Sequence, residues 1–257
     1  MPKYTFIRFT FIGPFINRLQ AYSVGFLHLF YPHICIHCGS EELQAETVLC
    51  ELCEKNLPYT HFLSIEKNII EKIFWGRVPL HEAGASLFFT KDSIVQSLIF
   101  ALKYKHQKKA GRLLGNIIGQ DIINSQRFKN IDCMIPIPLS KKKQRARGYN
   151  QALVICEGIQ EKLPHIQILP LLLKHKNAVS QTRKDRIQRT QLRPQSYAII
   201  DPIQIAEKNV LVVDDVITTG ATIESVCKHI LSEARPHSLS VVAVETVEEA
   251  YKLFFNA

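Results

Sequence analysis

The 257-residue sequence predicts an α/β protein: a mostly parallel sheet with helices on both faces, preceded by a small cysteine module. Three observations predict it. Apolar, strand-like runs alternate with amphipathic helical runs from Ala85 to Val247. The strand-like run Asn209 to Asp214 ends in two acids and then a small-residue turn, Thr218-Thr219-Gly220-Ala221-Thr222. Four of the seven cysteines, Cys35, Cys38, Cys50 and Cys53, fall within nineteen residues near the N-terminus.

The elements follow in order. Residues 1–34 contain no acid, and Pro14, Asn17, Arg18 and Gln20 interrupt any signal-peptide or membrane-spanning apolar core. Residues 1–30 are therefore expected to be an extension ending in an amphipathic helix, Leu19 to Tyr31, packed on the body. Residues 31–60 hold the cysteine module, and residues 80–257 the α/β domain, with the boundary near Trp75-Gly76-Arg77-Val78-Pro79. Ala85 to Thr90 reads as a strand, and Ser93 to Lys105 as a helix with Ile94, Leu98, Ile99 and Leu102 on one face. Gly111 to Ile123 is a second helix, and Ile131 to Ile137 a strand stopped by Pro136 and Pro138. Gln151 to Leu163 reads as a helix, Ile168 to Leu173 as a strand, and Ser196 to Ile200 as a short strand. Asn209 to Asp214 is a strand, Thr222 to Ala234 a helix and Ser238 to Val247 the last strand.

Composition narrows the partners. Apolar residues make up 46% and charged residues 21%, the profile of a soluble globular chain, expected in the cytoplasm. Lys and Arg outnumber Asp and Glu by 32 to 23, a formal charge of +9 that suits an anionic partner. Segments 103–112, 141–147 and 174–193 carry 17 of the 32 basic residues with a single acid, Asp185. A solvated surface normally intersperses the two signs, so these segments are expected to face anions.

The acid pair and its turn carry the most specific chemistry. Asp214 and Asp215 stand at the carboxyl end of a buried strand, where open α/β sheets place their ligands. The turn then offers free backbone N–H groups and the positive end of a helix dipole to a phosphate monoester. Gly220 admits the anion close to the backbone, and the Thr hydroxyls add donors. Two adjacent carboxylates beside a phosphate need hydroxyl donors or a metal, and the vicinal hydroxyls of a ribose supply the first. The alternatives are simple loop and helix caps, or a magnesium-binding acidic pair.

Val212-Val213-Asp214-Asp215-Val216-Ile217-Thr218-Thr219-Gly220-Ala221-Thr222 resembles the signature of type I phosphoribosyltransferases, which bind phosphoribosyl pyrophosphate (PRPP). The resemblance implies that Asp214 and Asp215 contact the ribose hydroxyls as the catalytic acids, that Thr218, Thr219, Gly220, Ala221 and Thr222 hold the 5-phosphate, and that Mg²⁺ accompanies PRPP. Pro136-Ile137-Pro138-Leu139, the basic run, and Arg147-Gly148-Tyr149-Asn150-Gln151-Ala152 are similar to a stretch of the ComF family of competence-associated proteins. Leu102-Lys103-Tyr104-Lys105, Gly111-Arg112-Leu113-Leu114-Gly115 and Ser180-Gln181-Thr182-Arg183-Lys184 resemble that family too. Tyr149 stands where Phe is commoner, and Leu192 where a polar Asn is expected. Lys103, Lys105, Arg147, Gly148, Arg183 and Arg186 are the candidate contacts to pyrophosphate or nucleic acid, since Arg suits bidentate contact with a multiply charged anion.

In the cysteine module, two Cys-x-x-Cys knuckles separated by eleven residues can present four thiolates, the closed set of a structural zinc ribbon. A disulfide pair and an iron–sulfur cluster are the competing readings of the same spacing. His37 is read as exposed, and Cys133, Cys156 and Cys227 as ordinary buried thiols.

Two functional readings result. The ComF resemblance implies a PRPP-binding protein that handles single-stranded DNA in natural transformation, with other competence proteins as partners. Tyr104, Tyr149 and Tyr197 near the basic clusters offer base stacking. The second reading is an enzyme that moves the phosphoribosyl group to a base or amine, chemistry that needs positioning and charge neutralisation at the leaving pyrophosphate.

Overall fold

A computed structural model describes residues 34–41, 43, 47–174 and 197–247. The expected helix from Leu19 to Tyr31, Arg183, Arg186 and most of the basic segment 174–193 lie outside the described residues.

Five strands form the main sheet: β1 (Ala83–Phe89), β2 (Cys133–Pro136), β3 (Gln167–Ile168), β6 (Asn209–Ile217) and β7 (Ser238–Val247). Their order is β1-β7-β6-β2-β3, and every neighbouring pair is parallel. The strands read apolar throughout because both faces are covered. On one face, Leu211, Val213, Val242 and Val244 pack against Leu98 and Leu102 of α3 (Ile94–Tyr104), Leu114 and Ile118 of α4 (Lys108–Asn124), and Ile155 and Ile159 of α6 (Gln151–Lys162). The interleaved residues Val210, Val212, Val241 and Ala243 meet Ile70 and Phe74 of α2 (Ile69–Phe74), and Ile223, Val226 and Ile230 of α7 (Ala221–Glu233), on the other face. Helices α4 and α6 touch backbone to backbone. A Cβ on Gly115 would lie 2.1 Å from the Ile155 carbonyl oxygen, and one on Gly158 2.3 Å from that of Arg112.

The cysteine segment, with α1 (Glu51–Lys55), is not separate from this core. Cys35, Val48, Leu49, Cys50, Cys53 and Leu57 join the apolar cluster of α3 and α4. His37 is exposed and meets the Ser97 hydroxyl of α3 at 3.1 Å.

One expected strand is overturned. Ile168 to Leu173 is two short strands in two sheets, because Pro170 has no N–H to donate to a ladder. Ile168 pairs with Met134 in the main sheet. Beyond the proline, β4 (Leu172–Lys174) pairs antiparallel with β5 (Tyr197–Ile199) in a separate ribbon. Among the described residues, no helix is long and apolar enough to cross a membrane.

Candidate functional site

The sheet places a cavity where two of its strands part. β2 ends at Pro136, opposite Val213, while β6 runs on to Ile217 with β7 as its only neighbour among the described residues. From β2 the chain crosses one face through α6 to β3, and from β6 it crosses the other face through α7 to β7. The crossovers therefore diverge at the β2–β6 boundary, a switch point at the carboxyl ends of parallel strands. A cavity of about 280 Å³ opens there.

Its floor is acidic. Asp214 and Asp215 both line it. The Asp215 backbone N–H donates to Asp214 Oδ1 at 2.8 Å, and Asp215 Oδ2 accepts from Lys103 Nζ at 2.6 Å. Burial, then the neighbouring Asp215 carboxylate, pushes the Asp214 carboxyl well above the usual carboxylate range. Glu245 of β7, beside Val216 of β6, is only 4% exposed, and its Oε2 has no hydrogen-bond partner among the described residues. Burial pushes its carboxyl up to about 8, against the pull of Lys103 and with a further push from Asp215.

The rim is cationic and rich in free N–H groups. Lys103, Lys143 and Arg147 line the cavity. So do the starts of two long helices: Asn150, Gln151 and Ala152 at α6, and Gly220, Ala221, Thr222 and Ile223 at α7. Asn150 caps α6 by accepting from the Ala152 N–H at 3.2 Å, and its amide donates to the Ile137 carbonyl at 3.0 Å. α7 has no side-chain cap, so its first N–H groups are left for a ligand. Thr218 and Thr219 are exposed at the turn before it.

Gly220 is held at φ +71° with Phe74 and Ile73 of α2 directly behind it. Arg77 fixes the same turn: its guanidinium donates to the Thr219 carbonyl and the Ile73 carbonyl, each at 2.9 Å, and pairs with Glu224. Sequence reasoning missed Arg77, and it marked Lys143 only through the basic segment 141–147, and Asn150 and Gln151 only through the family-like stretch, not as site residues. For Arg77 the only signal was a lone cation in Trp75-Gly76-Arg77; its partner Glu224 is 147 positions away.

The structure thus gathers Lys103, Arg147, Asp214, Asp215, Thr218, Thr219, Gly220, Ala221 and Thr222 around one cavity. Two candidates fall outside its lining. Lys105 is exposed with its ammonium 5.8 Å from the centre of the Phe100 ring. Gly148 ends α5 (Lys141–Arg147) in a left-handed conformation, donating to the Gln144 carbonyl. Of the three tyrosines expected near the basic clusters, Tyr197 is 3% exposed and packs on the opposite face of the sheet.

The four cysteines converge as well. Their Sγ atoms lie within 4.8 Å of one another, and Cys38 and Cys50 are 3.6 Å apart. A tetrahedron of thiolates about 2.3 Å from a central zinc has edges of about 3.8 Å, so the set fits a metal. A disulfide needs about 2.05 Å, and all four are free thiols in this structure. Although burial opposes it, backbone N–H groups of Cys38, Cys50 and His37 bring the Cys35 thiol down to about 6, favouring the ligating thiolate.

Comparison with known proteins agrees with this geometry. Residues 171–252 match the family described as phosphoribosyl transferase domain. Competence protein F of Haemophilus influenzae is 25% identical over 210 residues, covering 77% of this chain and 91% of the relative. Competence protein ComFC of Bacillus subtilis is 30% identical over 109 residues, 42% of this chain and 41% of the relative. These similarities support the ComF family. A further relative, DNA utilization protein YhgH of Escherichia coli K12, is 24% identical over 208 residues, covering 77% of this chain and 84% of the relative. The chain therefore carries a phosphoribosyltransferase fold with its strand-end cavity, and a four-cysteine set able to hold a metal.

Proposed function

We propose that this protein binds PRPP, with Mg²⁺, in the cavity at the end of β6, and that it handles single-stranded DNA during DNA uptake. One observation carries the first part: an acid pair and an uncapped helix start line a single cavity together with Lys103, Lys143 and Arg147. A ribose 5-phosphate with a pyrophosphate arm matches that layout. Asp214 and Asp215 accept from the ribose hydroxyls, and the N–H groups of residues 219–222 take the 5-phosphate. Lys103, Lys143 and Arg147 face the pyrophosphate, with which Mg²⁺ enters. In the cysteine set, zinc is the metal that four thiolates in a closed tetrahedron favour.

The DNA part is supported by the names of the relatives, a competence protein and a DNA utilization protein, and by the exposed basic helix α5. That role places the protein in the cytoplasm, where other competence proteins can meet it. The test is calorimetry of PRPP with Mg²⁺ against the parent and the Asp214→Asn, Asp215→Asn double variant. The variant is expected to stay folded and lose binding. Undiminished binding overturns the site, and release of pyrophosphate on adding bases, amines or DNA identifies a transferase.

A further inference from the structure

Phe100 and Tyr104 lie one helical turn apart on the outer face of α3, 49% and 61% exposed, with ring centres 5.1 Å apart. Neighbouring aromatic rings left open on a surface mark a contact site more often than chance exposure does. Cations flank them. Lys105 lies 5.8 Å from the Phe100 ring and the Arg147 guanidinium 5.7 Å from the Tyr104 ring. Lys141, Lys142, Lys143 and Arg145 of α5 are exposed, and that helix contains no acid. Tyr149, by contrast, is already engaged: its hydroxyl donates to the Leu102 carbonyl, and its ring meets His106 and Lys108.

Two features link this patch to the cavity. Helix α3 carries the ring pair outside and Lys103 inside, and Arg147 both covers Tyr104 and lines the cavity. We infer that Phe100 and Tyr104 form a stacking step that leads a single strand of nucleic acid to the cavity mouth, and that Arg147 couples the strand to the phosphoribosyl ligand. Open ring faces stack on unpaired bases, and the flanking cations follow the phosphates. A duplex hides those base faces, so the occupant is single-stranded. The coupling is positive. A base that stacks on the covered face of Tyr104 must displace Arg147, and a pyrophosphate in the cavity draws Arg147 off the same face. Whichever ligand comes first breaks the cation–π contact, so the second binds more tightly, by about two- to five-fold for an exposed contact of this kind.

The inference rests on the proposed PRPP site, and the experiment separates the two. Fluorescence anisotropy with a labelled oligo-deoxythymidine and with a duplex of equal length is run at several salt concentrations, with and without PRPP and Mg²⁺. The parent is expected to prefer the single strand and to bind it about two- to five-fold tighter with PRPP. Phe100→Ala and Tyr104→Ala should each weaken the strand by about five-fold or more at an unchanged salt slope, since stacking releases no counterions. Tyr104→Ala should also abolish the PRPP effect, and Tyr104→Phe should restore both. Parental strand binding by Tyr104→Ala, equal affinity for duplex, or weakening by PRPP overturns the inference. If calorimetry shows no PRPP binding to the parent, the PRPP reading fails and the coupling with it. Loss of strand binding in Tyr104→Ala would then still establish the stacking step.

Discussion

The turn that precedes α7 is predicted to tolerate no side chain at Gly220. In Gly220→Ala the new methyl would stand 2.8 Å from Phe74 Cε1, 2.9 Å from Ile73 Cγ2 and 3.0 Å from Phe74 Cζ. Phe74 is 1% exposed and cannot swing away without opening the core between α2 and the sheet. The backbone is also in the left-handed region at φ +71°, which disfavours alanine by about 1–2 kcal/mol. Overpacking adds roughly 1–3 kcal/mol, so the total is about 2–5 kcal/mol. It must appear either as lost stability, if the turn holds its place, or as lost affinity, if the turn moves and misaims its N–H groups. Urea unfolding and calorimetry with PRPP and Mg²⁺ measure the two parts. Phe74→Leu removes the ring atoms behind the glycine, so the double variant should be less impaired than the two single changes summed, by about 0.5–3 kcal/mol. A Gly220→Ala protein within about 0.5 kcal/mol of the parent in both assays would refute the buttressed turn.

Two further predictions concern groups outside the turn. The Glu245 carboxyl ordinarily titrates at 4.5 and is pushed to about 8 in the fold, so its contribution is full below pH 4.5 and lost as pH rises through 8. The shift of about 3.5 units bounds the effect at about 5 kcal/mol. Glu245→Gln should therefore gain stability relative to the parent between pH 5 and pH 9 in urea unfolding, and parallel pH profiles would refute it. Elemental analysis should find one zinc per chain, and Cys38→Ser or chelation should open the Cys35 to Cys53 segment to protease; iron with visible absorption would refute zinc.

Much of this site was legible because its signals are local. Strands buried on both faces read as unbroken apolar runs, and the acid pair, glycine turn and following helix are contiguous in the chain. What escaped depends on contacts across the fold. Helix α2 spans only Ile69–Phe74, too short for a periodic signal, yet it supplies the wall behind Gly220. The strand assigned to Ile168–Leu173 ignored Pro170, although a proline inside an apolar run argues against a central strand. Lys103 and Lys105 were treated alike, but Lys103 lies in the last turn of α3 and Lys105 just past its end. Lys103 lines the cavity, whereas the Lys105 ammonium turns to the Phe100 ring.

The charge layout sets stability against selectivity at this site. Asp214, Asp215 and the buried Glu245 crowd the carboxyl edge of β6 and β7, and Lys103 pairs with only one of them, Asp215. Removing a carboxyl there relieves repulsion and desolvation in the empty protein. The same step removes an acceptor from the floor on which the proposed ribose hydroxyls would sit. The rest of the lining has the reverse balance: Lys143, Arg147 and the uncapped start of α7 line the cavity, and the first-turn acid of α7, Glu224, is paired with Arg77. A ligand with hydroxyls at one end and phosphates at the others satisfies both walls at once, whereas a bare phosphate leaves the floor unsatisfied and a neutral sugar leaves the rim unsatisfied. The unfavourable terms of the free site are thus the terms that discriminate among ligands, and substitutions that make the fold more stable at this edge should make it less selective.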